Sequence, residues 1–319
     1  MCLLIEIRGC CRIHIGKRQG DGDAKRLNFH DTPSSSRRRG DLYSPRRAAS
    51  CDCPIRMRQQ GMNTGKDMRR DAPILAMRVG TYRERAAHGP LSRLFCRIWS
   101  HRLPEGFDGR IAVMPDGCAD LIWAGGQLMV IGPDRTAAFP ALAPGETILG
   151  LRFRPGAALH WLDVPLRELV GRAVPLREFR DNVRTVEEQL AEEDCALERQ
   201  RLLKAWAAGE ASLAAAPQSL VETLFDELGS GALHGSSAMQ ALGERTLRRR
   251  SHDHFGYGPK TLERILRLQR FLRMVRQPAS GNLALLALEA GYADQAHMTR
   301  DVKELTTFTP WEIRRQLCA

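Results

Sequence analysis

The chain has 319 residues, enough for two domains with a core each, and its 48 Lys+Arg against 37 Asp+Glu give a formal net charge of +11 that favours a polyanionic partner. No run of 18 apolar residues occurs, so no membrane span is expected, and Glu6 and Arg8 stand where a signal peptide keeps its apolar stretch. The nine cysteines are odd in number and follow no regular framework, which argues against a disulfide scaffold and for reduced thiols in a cytoplasmic protein.

The charge sits at the two ends. Residues 1–70 hold 16 Lys+Arg against 7 Asp+Glu, and residues 236–319 hold 14 against 8. The stretch between them holds 18 against 22, so a nucleic-acid partner is to be sought at an end. Residues 1–76 show neither helical nor strand periodicity and contain Ser34-Ser-Ser-Arg-Arg-Arg39 and Pro45-Arg-Arg47. Such a composition buries no core and reads as a disordered basic extension. Met62, Met68 and Met77 each offer a later translation start. Cys10-Cys11 and Cys51-Asp-Cys53 lack the paired spacing of a zinc site.

Residues 77–180 are expected to form a β-rich sensing or dimerisation domain, a small antiparallel sheet or partial barrel. Leu94–Trp99, Arg110–Met114, Asp120–Trp123, Gln127–Ile131 and Thr147–Phe153 are strand-like and are separated by turn formers such as Pro115-Asp-Gly117 and Gly125-Gly126. After Pro155-Gly156 the apolar spacing turns helical, and helices are expected to run on to Leu228, with residues 181–235 as a helical linker. Gly229-Ser-Gly231 and Gly235-Ser-Ser237 read as a flexible joint.

Residues 236–319 read as two helix-turn-helix units on one long helix, which makes the whole chain α+β. In the first unit, residues 238–242 form a short apolar helix, Gly243 the turn, and Glu244 to Phe255 the recognition helix. Leu247, Ser251, His254 and Phe255 mark its inner face, leaving Arg245, Arg248 and Arg249 outward. The connecting helix from Pro259 to about Gln277 spans roughly 28 Å at ~1.5 Å per residue. Such a strut sets two recognition helices about one DNA turn apart, roughly 34 Å. In the second unit Gly291 suits a left-handed cap, Asp294 caps the next helix, and Met298, Val302 and Leu305 point inward. Gln295, Ala296, Thr299 and Arg300 then face out, with Lys303 one turn on. Glutamine pairs with adenine and arginine with guanine, while Lys303 is assigned to phosphate. Thr309-Pro310 starts a last helix whose Trp311 and Ile313 are expected to close the core.

Phe255-Gly-Tyr-Gly-Pro-Lys260 followed by Arg264, Arg267 and Gln269, and Gly291-Tyr-Ala-Asp-Gln295 with Thr309-Pro310, resemble the signature of the AraC/XylS family of bacterial transcription regulators. The resemblance covers about residues 238–316 and implies base contacts at Arg245, Arg248, Arg249, Gln295, Ala296 and Arg300. It differs from the family in a turn before Glu244 about two residues short, in Ser251 where a large apolar residue is common, and in Thr307 for the usual glycine. These departures predict a weaker first-unit core and an altered final turn. Pro115-Asp-Gly-Cys-Ala-Asp-Leu-Ile-Trp123 and Gly150-Leu-Arg-Phe-Arg-Pro-Gly-Ala157 resemble a domain of unknown function that precedes such DNA-binding pairs.

The expected partner is double-stranded DNA. RNA polymerase, a small-molecule effector and a second copy of the chain are further candidates, as for a transcription activator. No cofactor, metal or catalytic group is expected: His88, His101 and His160 are isolated, and no phosphate loop or nucleophile elbow occurs. Cys118, between Asp116 and Asp120, reads as a packed small residue before a redox sensor. Trp123, Phe153 and Trp161 read as core before a ligand pocket. The alternatives are an alkylation-repair regulator (an enzyme fused to the DNA-binding tail) and a non-specific architectural binder.

Overall fold

Four of the five strand-like stretches, with two further strands, pair as a six-stranded antiparallel sheet. In the computed structural model, which describes residues 72–214, 219–231, 242–277 and 281–318, the strands are β1 (Ile74–Leu75), β2 (Thr81–Ala86), β3 (Phe95–Arg102), β4 (Ile111–Ala112), β5 (Asp120–Ala124), β6 (Gln127–Ile131), β7 (Thr147–Phe153) and β8 (Ala173–Pro175). The sheet order is β2-β3-β7-β5-β6-β8, and β1 pairs separately with β4 in parallel. β6 and β7 occupy the expected residues, and β3 runs on to Arg102. The stretch Arg110–Met114 contracts to Ile111–Ala112, with Val113 bridging Ala138. Of the expected extension at residues 1–76, residues 1–71 lie outside the described residues, while the end differs from expectation: Leu75 in β1 is buried in the core of the C-terminal helices. Residues 238–241 of the expected helix and the joint at 235–237 also lie outside the described residues.

Alternation along the strands sends Leu121 and Trp123, Leu128 and Val130, and Leu149, Leu151 and Phe153 into one core. Helices α1 (Ala157–Leu162), α2 (Arg184–Glu192) and α3 (Ala196–Leu213) bury their apolar sides in that core through Trp161, Leu162, Val186, Leu190, Leu203 and Ala207. Trp123, Phe153 and Trp161 are therefore core residues, with Phe153 and Trp161 rings 5.6 Å apart.

Two expectations need correction here. Helix is not continuous after Gly156: α1 stops at Leu162, and Pro165, Pro175 and β8 intervene before α2. Nor do the described residues between 181 and 231 stand apart from the two cores as a linker would. α2 and α3 underlie the sheet, while α4 (Ser219–Ser230) places Val221, Leu224 and Leu228 in the core of the C-terminal helices, and Gly229 lies inside α4.

Those helices are α5 (Glu244–Phe255), α6 (Pro259–Val275), α7 (Leu283–Glu289), α8 (Gln295–Thr306) and α9 (Pro310–Leu317). α6 ends at Val275, two residues short of expectation, so the strut is about 26 Å long. It buries Leu262, Ile265, Leu266, Leu268, Phe271, Leu272 and Val275. Arg270 donates to the carbonyls of Leu228 and Gly229 at 3.1 and 2.7 Å and to that of Ala290 at 3.0 Å, tying α6 to the ends of α4 and α7. Trp311 is 57% exposed with the Arg315 guanidinium 4.9 Å above its ring, so Ile313 closes the core without it. Among the described residues no helix is long and apolar enough to cross a membrane.

Arg264 on α6 donates from Nε to Asp301 Oδ1 on α8 at 2.6 Å, and its second branch meets Glu304 at 2.8 Å. Asp301 is 6% exposed and its Oδ2 has no partner among the described residues. Removing the guanidinium strands a buried carboxylate, so Arg264→Ala is expected to destabilise the protein by about 3 kcal/mol in urea unfolding. The double variant Arg264→Met, Asp301→Leu recovers most of that loss, because it removes both charges; a double variant no more stable than Arg264→Ala contradicts this account.

Candidate nucleic-acid interface

The second unit is shaped by its caps. α7 ends in a paired-bond turn: Tyr292 N–H reaches Ala287 O at 2.9 Å and Gly291 N–H reaches Leu288 O at 3.0 Å, with Gly291 at φ 90°. That left-handed conformation is open to glycine at little cost. Asp294 then accepts from His297 N at 2.6 Å and starts α8. Met298, Val302 and Leu305 are buried, whereas Gln295, Ala296, Arg300 and Lys303 are exposed. Thr299 is half-buried, and its hydroxyl donates to Gln295 O at 2.8 Å, so its polar atom is already engaged. His297 turns back, its ring edge-on to Tyr292 at 5.4 Å.

In the first unit Leu247, Ser251, His254 and Phe255 are buried, and Arg245, Arg248 and Arg249 are exposed. The small Ser251 leaves no unsatisfied group: its hydroxyl donates to Tyr257 O at 2.7 Å, replacing apolar bulk with a bond that closes the turn after α5. His252, which the sequence reading passed over, continues the outward stripe one turn beyond Arg248. Partial burial, then the charges of Arg248, Arg135 and Arg167, hold its imidazole below the ordinary histidine range. Thr307, in place of glycine, caps α8 at φ 68°, a left-handed backbone that costs a β-branched residue roughly 1–3 kcal/mol. The final turn nonetheless forms, because Thr306 Oγ1 accepts from Phe308 N and Thr309 with Glu312 makes a capping box on α9.

The sheet domain reaches α5, α6 and α8. Gly256, at φ 84°, ends α5 where a Cβ would lie 2.5 Å from Val170 Cγ2 and 2.9 Å from Pro133 Cγ, so only glycine admits this approach. His254 Nδ1 lies 3.2 Å from Gly156 O, and Arg167 pairs with Asp253. Gln269 on α6 donates to Pro115 O at 2.7 Å, and Ala137 N–H donates to Leu305 O on α8 at 2.7 Å. None of these long-range contacts had a signal in the sequence.

Comparison with known families matches residues 237–316 to a helix-turn-helix domain and residues 83–175 to a domain of unknown function, DUF6597. The C-terminal segment is an AraC-type helix-turn-helix domain. The chain is accordingly a DNA-binding transcription regulator in which the AraC-type domain follows a DUF6597 domain. Among solved structures, ToxT from Vibrio cholerae is 10% identical over 75% of this chain and 100% of its own, with a TM-score of 0.40. An apo variant of ToxT is 12% identical over 73% and 100%, with a TM-score of 0.38. A fatty-acid-bound form is 13% identical over 69% and 94%, with a TM-score of 0.35. No curated protein matches the chain.

Between the AraC-type domain and the sheet lies a polar cluster built from the motif at residues 115–120. Arg152 bridges Asp116 at 2.8 Å and Asp120 at 3.3 Å, Trp99 Nε1 donates to Asp120 at 3.0 Å, and Cys118 N–H donates to Asp116 at 3.0 Å. The cysteine thus sits in a turn organised by carboxylates. No group of three or more His, Cys, Asp or Glu suited to a metal occurs among the described residues. Tyr257, from the AraC-type domain, is 1% exposed, and its hydroxyl has no partner among the described residues. Burial, then the neighbouring charges of Asp116, Cys118 and Asp134, raise its pKa well above the ordinary range. Asp134 is pushed up to about 7 by burial and then by Asp116 and Asp120.

A carboxyl with a raised folded pKa keeps its proton longer in the folded than in the unfolded chain. Its favourable contribution is therefore present near pH 4 and lost as the pH rises through 7. Asp134→Asn abolishes that loss, so the variant should exceed the parent in unfolding free energy at pH 8 by several kcal/mol, roughly 4 at most. The gap should close towards pH 4. A gap of the same size at both pH values in urea titrations would show that Asp134 is not held protonated.

Proposed function

We propose that the AraC-type domain reads a specific duplex through two outward faces, Arg245, Arg248 and Arg249 on α5 and Gln295, Ala296, Thr299 and Arg300 on α8, with Lys303 on phosphate. The supporting observation is that the inward positions of both helices are buried while these polar positions, Thr299 excepted, stay exposed. α6 then acts as a spacer that brings both faces to one side of the duplex. Residues 236–319 are read as the DNA-binding part, completed by α4 from the segment before it. Residues 77–180 are read as the sensing or dimerising part.

Effector response follows from the same arrangement. The sheet domain touches α5, α6 and α8, so a ligand that shifts its position alters the DNA-reading helices with it. Regulation of this kind needs differential affinity of the effector for the DNA-competent arrangement.

The contact types separate by mutation. Arg300→Ala is expected to weaken the specific complex by about 1–3 kcal/mol and to relax preference at one base pair. Lys303→Ala is expected to weaken specific and scrambled duplexes alike and to reduce the salt slope by about one. Anisotropy titrations of both variants across salt concentrations distinguish the roles, and unchanged binding in both removes the docking of α8.

A further inference from the structure

The loop that follows β6 belongs to the sheet domain by sequence but lies against the DNA-reading helices. Residues 132–138 are held at both ends. Gly132 N–H donates to Arg172 O at 2.9 Å, and Pro133 O accepts from Gly171 N at 3.1 Å. At the other end Ala137 N–H binds Leu305 O of α8 at 2.7 Å, and Ala138 exchanges 2.9 Å bonds with Val113 in both directions. Phe139 continues into the core of the helical domain, with the Arg110 guanidinium 5.0 Å above its ring.

Between these anchors Asp134 turns inward, while Arg135 and Thr136 are exposed. Pro133 sits against the cap of α5, and the charge of Arg135 acts on His252, which belongs to the same outward stripe as Arg248. Among the described residues no ion pair involves Arg135, Arg245, Arg248 or Arg249. A cation with no carboxylate partner among the described residues, on a loop whose backbone is held by five bonds beside the cap of α5, costs little backbone ordering when it meets a polyanion.

We propose that Arg135 is a third DNA-contacting element, supplied by the sheet domain, that binds a backbone phosphate of the duplex beside the first recognition helix. This rests on the assignment of α5 and α8 as the DNA-reading helices. It makes the sheet domain part of the DNA-binding surface as well as a regulator of it. A phosphate contact fixes register and carries no base information, so its loss lowers affinity for every sequence.

The test is anisotropy titration of the full chain and its Arg135→Ala, Arg135→Lys and Arg300→Ala variants. Each is measured against its selected duplex and a scrambled one between 50 and 200 mM salt. Arg135→Ala should weaken both duplexes by the same factor, on the order of five-fold, and lower the salt slope by about 0.9. Arg135→Lys should keep most of the slope, because a phosphate accepts either cation. Arg300→Ala should lose mainly the specific duplex. An unchanged slope for Arg135→Ala beside an impaired Arg300→Ala overturns the third contact and leaves the helix assignment standing. Tighter binding by Arg135→Ala also overturns it, since the loop then obstructs the duplex. If neither Arg135→Ala nor Arg300→Ala affects binding, the helix assignment falls together with the loop contact.

Discussion

One buried carboxylate and the half-buried guanidinium that answers it govern the C-terminal half of this molecule. Asp301 sits on the inward side of α8 at 6% exposure, and Arg264 on α6 is the cation that answers it at 2.6 Å. A helix packed only by Met298, Val302 and Leu305 can slide along its neighbour at modest cost. A carboxylate that must meet one guanidinium cannot, because a small shift leaves a buried ion uncompensated. The pair therefore fixes the rotation and height of α8 on the strut. Arg270, binding the final carbonyls of α4 and α7, does the same for the helices around it.

The sheet domain extends this rigidity. It packs on the cap of α5 at Gly256, on α6 through Gln269 and on α8 through Ala137, and its Ala112 joins the helical core beside Leu75 of the preceding β1. Among the described residues the two halves are thus joined through a shared apolar core and through polar contacts such as Gln269 with Pro115 O, His254 with Gly156 O and Arg167 with Asp253. The proposed effector response has a physical route in these contacts, since the sheet domain and helices α5, α6 and α8 share them.

Much of the geometry of the candidate site was legible in the sequence, for a definite reason. α5 and α8 have one apolar face each, so their exposed positions follow from helical period, and Gly291, Asp294 and Thr309 mark the ends by cap chemistry. β6 and β7 were legible because apolar runs lay between clear turns. β2 was not: Thr81–Ala86 is an edge strand whose inward positions are Tyr82, Glu84 and Ala86, and its polar residues hide the alternation. β8 was missed because three residues ending in proline carry no periodic signal. Trp311 shows the opposite failure, since a large aromatic near a core residue need not enter the core. The role of α4 and the interdomain contacts depend on residues far apart in the chain, and no local pattern encodes them.

The central claim is that two recognition faces on one strut engage a single face of the duplex. The most direct test is selection from random duplex DNA by the full chain, followed by comparison of the selected duplex with a scrambled one at two salt concentrations. The account predicts a consensus of two patches about ten base pairs apart, bound far more tightly than the scrambled duplex. No enrichment, with equal affinity for both duplexes, would contradict it.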